Sequence, residues 1–134
     1  MFLTRECDYG IRIVRALSDG RKKTAEEICE AECIPGQFAY KILKKMERGG
    51  FLQSSRGRDG GYWLIKTLDE ITIHDIVSAI DDYLFLNECL REDRPCSRNL
   101  LNSPCAVHIE LERVQQILEG ELKLKTIQEI VTAV

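Results

Sequence analysis

The sequence predicts a mainly α-helical chain carrying one small β-hairpin wing, that is, a winged helix-turn-helix followed by a long C-terminal dimerisation helix. Three observations carry that expectation. Two short helical patterns are joined at Ile34-Pro35-Gly36, the arrangement of a helix-turn-helix. Two short runs, residues 51–55 and 62–65, flank the glycine-rich stretch 56–61 and read as strand, turn, strand. Beyond residue 104, the apolar positions Val107, Leu111, Val114 and Leu118 recur at helical spacing and form a seam suited to a second protomer.

Each element has its own local signals. Thr4 is expected to cap a first helix that runs to about Leu17, with Ile11, Ile13, Val14 and Leu17 on its apolar side and Asp19-Gly20 after it. Thr24 and Glu27 form a capping box for a short second helix reaching about Glu32. Pro35 suits the first position of a third helix through Phe38, Ile42, Leu43 and Met46, stopped by Gly49-Gly50. The hairpin follows, and Thr72 with Asp75 opens a helix whose apolar face is Ile73, Ile76, Val77 and Ile80. A polar loop over residues 84–103 leads to the long helix, expected from Pro104, with Ser103 as its cap, to about Glu119 before Gly120. Thr126 with Glu129 begins a short closing helix. The expected organisation is thus a DNA-binding domain over 1–82, a ligand loop over 83–105, and a dimerisation helix with a closing helix over 104–134.

At 134 residues, 44% hydrophobic and 31% charged, the chain is long enough for one domain with a real core. No apolar run approaches the about 20 residues that span a bilayer, and the N-terminus lacks a basic region followed by an apolar stretch. A cytoplasmic protein with no membrane partner is expected, so the six cysteines read as thiols, ligands or redox groups rather than disulfides. The net charge of −3 conceals an asymmetry. Residues 1–66 hold 13 Lys+Arg against 9 Asp+Glu, a net of +4, and residues 67–134 hold 6 against 13, a net of −7. Between Pro35 and Lys66, seven basic residues stand with two acidic ones, so a polyanion meets that part first. Nothing pairs a nucleophile with a base, cradles a phosphate or matches a cofactor fingerprint, and an enzyme is not expected.

In a helix-turn-helix the second helix enters the major groove with its N-terminal residues at base edges. Gln37, Tyr40, Lys41 and Lys44 are the candidates, with Gly36 and Ala39 keeping the approach open and Lys45 and Arg48 adding charge for bases or phosphates. Arg56 and Arg58, on a glycine-rich wing tip, have the chemistry for a minor groove or flanking phosphates. A solvated basic face is the plainer alternative, and the wing arginines tell against it. Double-stranded DNA is therefore the expected partner.

Cys89, Cys96, Cys105 and His108 crowd into one polar loop with Pro95 and Pro104 and no apolar periodicity. Unpaired cysteine usually behaves as a small buried hydrophobe, yet none of these three sits in an apolar stripe. Zinc suits a Cys3His set, but the close Cys-x2-Cys knuckle is absent, and the wider spacing fits a larger iron-sulfur body. Cys105 and His108, three apart, share one face of a helical first turn. Cys7, Cys29 and Cys33 read as packing residues, as do Tyr62 and Trp63 in the wing.

Leu3-Thr4 before Asp8-Tyr9 and Ile13, the Ile34-Pro35 turn, Tyr40-Lys41-Ile42-Leu43, Arg56-Gly57 with Gly60-Gly61-Tyr62, Ile71-Thr72 with Asp75-Ile76, and the cysteine triplet together resemble the cluster-binding branch of the IscR/NsrR/CymR-type (BadM-like) family. These are dimeric bacterial winged-helix transcription regulators, and the resemblance spans nearly the whole chain. It implies a homodimeric, DNA-binding regulator sensing redox, iron, cluster or nitric oxide status, with Cys89, Cys96 and Cys105 as three thiolate ligands. Two fourth ligands are open. His108 matches the branch with a 2Fe-2S cluster on three cysteines and a histidine, which is favoured, and Asp8 matches the branch in which a 4Fe-4S cluster takes a carboxylate from the N-terminal region of the partner protomer. The spacings here exceed the five-residue intervals of the histidine branch. A cluster-free repressor controlled by its thiols or by a partner, for instance of sulfur or cysteine metabolism, is the alternative.

Overall fold

Threonine sets the helix starts. In the computed structural model, which describes residues 3–82 and 84–134, Thr4 caps α1 (Arg5–Ala16), Thr24 caps α2 (Ala25–Glu32), Thr72 caps α4 (Ile73–Ile80) and Thr126 caps α6 (Ile127–Thr132). In the last three, the acid three residues on returns a hydrogen bond to the cap backbone, completing a capping box. Each box satisfies N–H groups that a helix start otherwise leaves unpaired. Between them lie α3 (Gly36–Arg48), the antiparallel strands β1 (Leu52–Ser55) and β2 (Gly61–Leu64), and α5 (Ala106–Leu124). Short 3₁₀ turns occupy Leu68–Glu70 and Glu88–Leu90. The mainly helical chain with a two-stranded hairpin is the architecture expected of a winged helix.

The core lies where α1, α3 and α4 meet. Ile13, Val14, Ile42, Leu43, Met46, Ile76 and Val77 are fully buried there. Gly10 lies directly under α4, where a Cβ would meet the end of the Ile80 side chain and stand 3.3 Å from Ile76 Cγ2. The closing helix α6 returns to this core: Ile127 N–H donates to the Ile71 carbonyl at 2.7 Å, and the Ile127 side chain is buried.

The wing is broader than its two strands. Lys23, in the α1–α2 connection, exchanges backbone hydrogen bonds with Tyr62 at 3.0 and 2.7 Å and adds a one-residue antiparallel bridge on the outer edge of β2. Gly61 makes this approach possible, because it has φ +151° and a Cβ there would stand 2.7 Å from the Lys23 carbonyl oxygen. Lys22 braces the same edge, with its ammonium 4.9 Å from the Trp63 ring centroid and 3.3 Å from the Asp59 carbonyl.

Five expectations need correction. Pro35 is the N-cap of α3 rather than its first residue, and its carbonyl accepts the Phe38 and Ala39 N–H groups. Ala39 does not keep the reading face open: it shares the i, i+4, i+7 stripe of Leu43 and Met46 and is fully buried. The long helix starts at Ala106, not Pro104. Ser103 is held in a turn with Leu100 by paired backbone hydrogen bonds, and the Asn99 side chain takes the Cys105 N–H at 2.9 Å. Gly120 does not end that helix either, which continues to Leu124; a helical glycine costs only about 1 kcal/mol. Finally, Cys33 is exposed rather than packed, at φ 53° just after α2, and Cys29 is half-buried, whereas Cys7 is fully buried.

Gly61→Ala is expected to destabilise the fold by about 1–3 kcal/mol, because the obstructing atoms are Lys23 backbone. Urea denaturation gives the loss, and faster amide exchange at Tyr62 locates it in the wing.

Candidate nucleic-acid interface and cysteine loop

Burial of Ala39, Ile42, Leu43 and Met46 turns the opposite side of α3 to solvent. Gln37, Lys41, Lys44 and Arg48 follow one another there at helical spacing, all exposed. Tyr40 lies on the wing-side flank, 53% exposed, and donates its hydroxyl to Glu26 of α2 at 3.0 Å. Tyr40, Lys44 and Arg56 line a single open concavity of about 360 Å³ between α3 and the wing, with Ser54, Glu47 and Tyr62. Ser54 donates to Glu47 at 2.6 Å and ties β1 to α3. Arg58 is exposed on the wing tip.

The other flank of α3 is held by α1. Glu6 accepts from Lys41 Nζ at 2.6 Å through one oxygen and from Lys45 Nζ at 2.9 Å through the other. Lys45 is half-buried and also donates to the Ile80 carbonyl at 2.8 Å, so it is engaged within the protein, unlike Lys44. Hydrogen bonds from Lys41 and Lys45 hold the Glu6 carboxyl below the usual carboxylate range. The contribution of these pairs is present above the ordinary carboxylate pKa and fades as pH falls through the lowered one. Local sequence carries no sign of a pair spanning 35 residues, and Glu6 escaped the sequence reading.

Cys89 lies in the second 3₁₀ turn, Cys96 in the loop, and Cys105 at the N-cap of α5, each half-buried as a free thiol. Asn99 joins two of them: its N–H donates to the Cys96 carbonyl at 3.0 Å and its side-chain oxygen accepts the Cys105 N–H at 2.9 Å. Asn87 Nδ2 stands 3.4 Å from Cys89 Sγ. With Cys105 at the N-cap, His108 falls at the third helical position, the relation Thr24 has to Glu27. His108 Nδ1 is buried without a hydrogen-bond partner. That ring borders a concavity of about 260 Å³ shared with Phe85, Leu90, Glu92, Glu112 and Gln115. Among the described residues, no three His, Cys, Asp or Glu side chains are gathered as a ready metal site. Asp8 is exposed on α1 and ion-paired to Arg12 at 3.0 Å.

Gln115 fastens this loop to α5. It is the buried residue of that helix, accepts the Leu86 N–H at 2.9 Å and donates to Glu119 at 3.1 Å. The apolar side of α5 is otherwise uncovered: Leu111, Val114 and Leu118 are half-buried, and Val107, Ile117 and Leu124 are more than half exposed. No helix among the described residues is long and apolar enough to cross a membrane.

Comparison with known proteins gives a consistent result. The profile of the Rrf2 family, described as iron-dependent transcriptional regulators, matches residues 3–133. An Aquifex aeolicus protein described as an HTH-type transcriptional regulator is 31% identical over 116 residues, covering 87% of this chain and 80% of its own. Protein aau3 of Rhizobium meliloti is 29% identical over 135 residues, covering 99% and 86%. Among solved structures, CymR, the global cysteine regulator of B. subtilis, superposes with a TM-score of 0.77 at 18% identity, covering 98% of this chain and 96% of that one. IscR of T. potens superposes at 0.74 with 18% identity, covering 97% and 85%. The fold is shared with both.

Gln115→Met should leave the Leu86 N–H unpaired at a loss of about 1–2 kcal/mol. Amide exchange at Leu86 faster than in the parent protein, with Tyr62 exchange unchanged, is the expected outcome.

Proposed function

The chain belongs to the Rrf2 family of DNA-binding transcriptional regulators, and on that premise we propose that it is a cytoplasmic homodimer whose operator affinity is set by an iron-sulfur cluster. Gln37, Tyr40 and Lys44 read the major groove with Lys41 on an adjacent phosphate, while Arg56 and Arg58 take flanking phosphates or the minor groove. Lys45 supports α3 from behind. The uncovered apolar side of α5 packs against its copy, so that two recognition helices stand about 34 Å apart on a palindrome.

Cys89, Cys96 and Cys105 would supply the thiolates. When bound, the cluster would supply iron open to oxidation and nitrosylation, and its occupancy would fall when iron is scarce. The buried, unpartnered His108 Nδ1 carries this reading. A buried imidazole nitrogen left without a hydrogen bond, three residues on from Cys105 in the chain, is unfavourable until something accepts its lone pair or its proton. It favours His108 as fourth ligand, and with it a 2Fe-2S cluster. Asp8, the carboxylate of the 4Fe-4S alternative, would first have to leave Arg12. The donor set fits the group in kind: Cys89, Cys96, Cys105 and His108 would hold it, on a loop tethered by Asn99. The nearest rival is cluster-free control by thiols or a partner.

Anaerobically purified protein should be brown, with iron, acid-labile sulfide and a paramagnetic signal after reduction. Cys96→Ala should lose the colour, and His108→Ala should lose or shift the spectrum while Asp8→Ala keeps it. The reverse pattern assigns the carboxylate. Colourless protein lacking iron and sulfide even after reconstitution overturns the cluster and leaves the thiol-controlled regulator. Ile117→Asp should convert the dimer to monomers in sedimentation velocity and weaken operator binding about a hundredfold or more through loss of avidity.

A further inference from the structure

Two lysines of the reading helix converge on one carboxylate of another helix. Glu6 offers one oxygen to Lys41 at 2.6 Å and the other to Lys45 at 2.9 Å. The two lysines differ in what else they do. Lys45 is also bound to the Ile80 carbonyl and faces inward. Lys41 keeps 59% of its side chain in solvent and continues the exposed row of Gln37, Lys44 and Arg48.

A carboxylate presenting two oxygens to lysine ammonium groups repeats the chemistry of the non-bridging oxygens of a phosphate. We propose that Glu6 is an internal substitute for a DNA phosphate, occupying Lys41 in the free protein so that a nucleic-acid backbone must displace it to gain that lysine. The inference rests on α3 being the DNA-reading helix. Its consequence is selective. Binding without sequence recognition comes almost wholly from phosphate contacts, so withholding one lysine weakens it more than it weakens operator binding, to which base contacts also contribute. Glu6 thus raises the ratio of specific to non-specific binding by opposing the wrong partner rather than by attracting the right one.

Position alone does not require this role. Glu6 lies in the first turn of α1, where any carboxylate is favoured by the helix dipole, and its ties to α3 hold two helices together. A purely structural Glu6 would change stability and leave DNA affinity alone or lower it. A competing Glu6 makes the opposite demand, that its removal tighten binding.

The test uses the intact protein and a labelled random-sequence duplex of about 30 base pairs, with anisotropy read at several potassium chloride concentrations. Glu6→Gln should bind about three- to tenfold tighter at low salt, and the slope of log affinity against log salt should steepen by about one, the increment of one added phosphate contact. Glu30→Gln removes the same charge from an exposed position on α2 and should change affinity less than about twofold. Unchanged or weaker binding by Glu6→Gln, or a gain matched by Glu30→Gln, overturns the proposal. Should Glu6→Gln fail to fold, Glu6→Asp withdraws the carboxylate by one methylene and keeps its charge at the helix start. It should tighten binding in the same direction, and unchanged or weaker binding by it overturns the proposal equally. Lys44→Ala in the same series separates the premises. Unaltered binding there overturns α3 as the reader and the phosphate substitute with it, whereas weakened binding there beside unaltered binding in Glu6→Gln overturns the substitute alone.

Discussion

A helix can offer a defined face to DNA only if its opposite face is fixed. In α3 that constraint is the burial of Ala39, Ile42, Leu43 and Met46 against the core. These positions recur at helical spacing and set the rotation of the helix about its axis, and with it the directions of Gln37, Lys41 and Lys44. A slip of one residue would rotate the basic row by about 100° and bury lysines, which the core cannot accept without partners. Glu26 on one flank and Glu6 on the other then restrain Tyr40 and Lys41, side chains that packing leaves free.

The cysteine loop is built on the opposite principle. Beyond the packing of Leu84 on the core, its attachments include a set of hydrogen bonds, local for Asn99 to Cys96 and Cys105 and for the paired backbone groups of Leu100 and Ser103, and long-range for Gln115 to Leu86. Hydrogen bonds of this kind contribute about 1 kcal/mol each, enough to keep the segment near α5 and too little to resist a ligand that gains several metal–sulfur bonds. The three half-buried thiols thus sit in a segment that hydrogen bonds hold in place more loosely than the core holds α3.

Local chemistry was legible and distant chemistry was not. The capping boxes at Thr24, Thr72 and Thr126 span three residues, so the residues that make them are visible in a line of sequence, and those helix starts follow. The start of α5 at Ala106 depends on Asn99, six residues away from the Cys105 N–H it receives, and the proline at 104 pointed to an earlier start. Ala39 was misplaced because a small residue fits a close approach to DNA as well as a tight core. Glu6, Lys41 and Lys45 form a cluster that only folding assembles. Gln115 did carry a signal, a polar side chain between the apolar Val114 and Leu118 positions, but its partner is a backbone N–H, which no sequence names.

Lys45 connects these two differently built regions. Its ammonium joins Glu6 at the start of α1 to the carbonyl of Ile80, the last residue of α4, and the chain leaving α4 becomes the cysteine loop. Lys45 hangs from the end of α4, and it is anchored to the buried side of α3. Displacing the Ile80 carbonyl therefore leaves the lysine either to follow it, pulling on α3, or to give its proton donors wholly to Glu6, which alters the hold of Glu6 on Lys41. Either response reaches the exposed row of Gln37, Lys41 and Lys44. Lys45 thus makes the start of α1, the end of α4 and α3 one hydrogen-bonded unit, in which none of the three can shift without changing what holds Lys41.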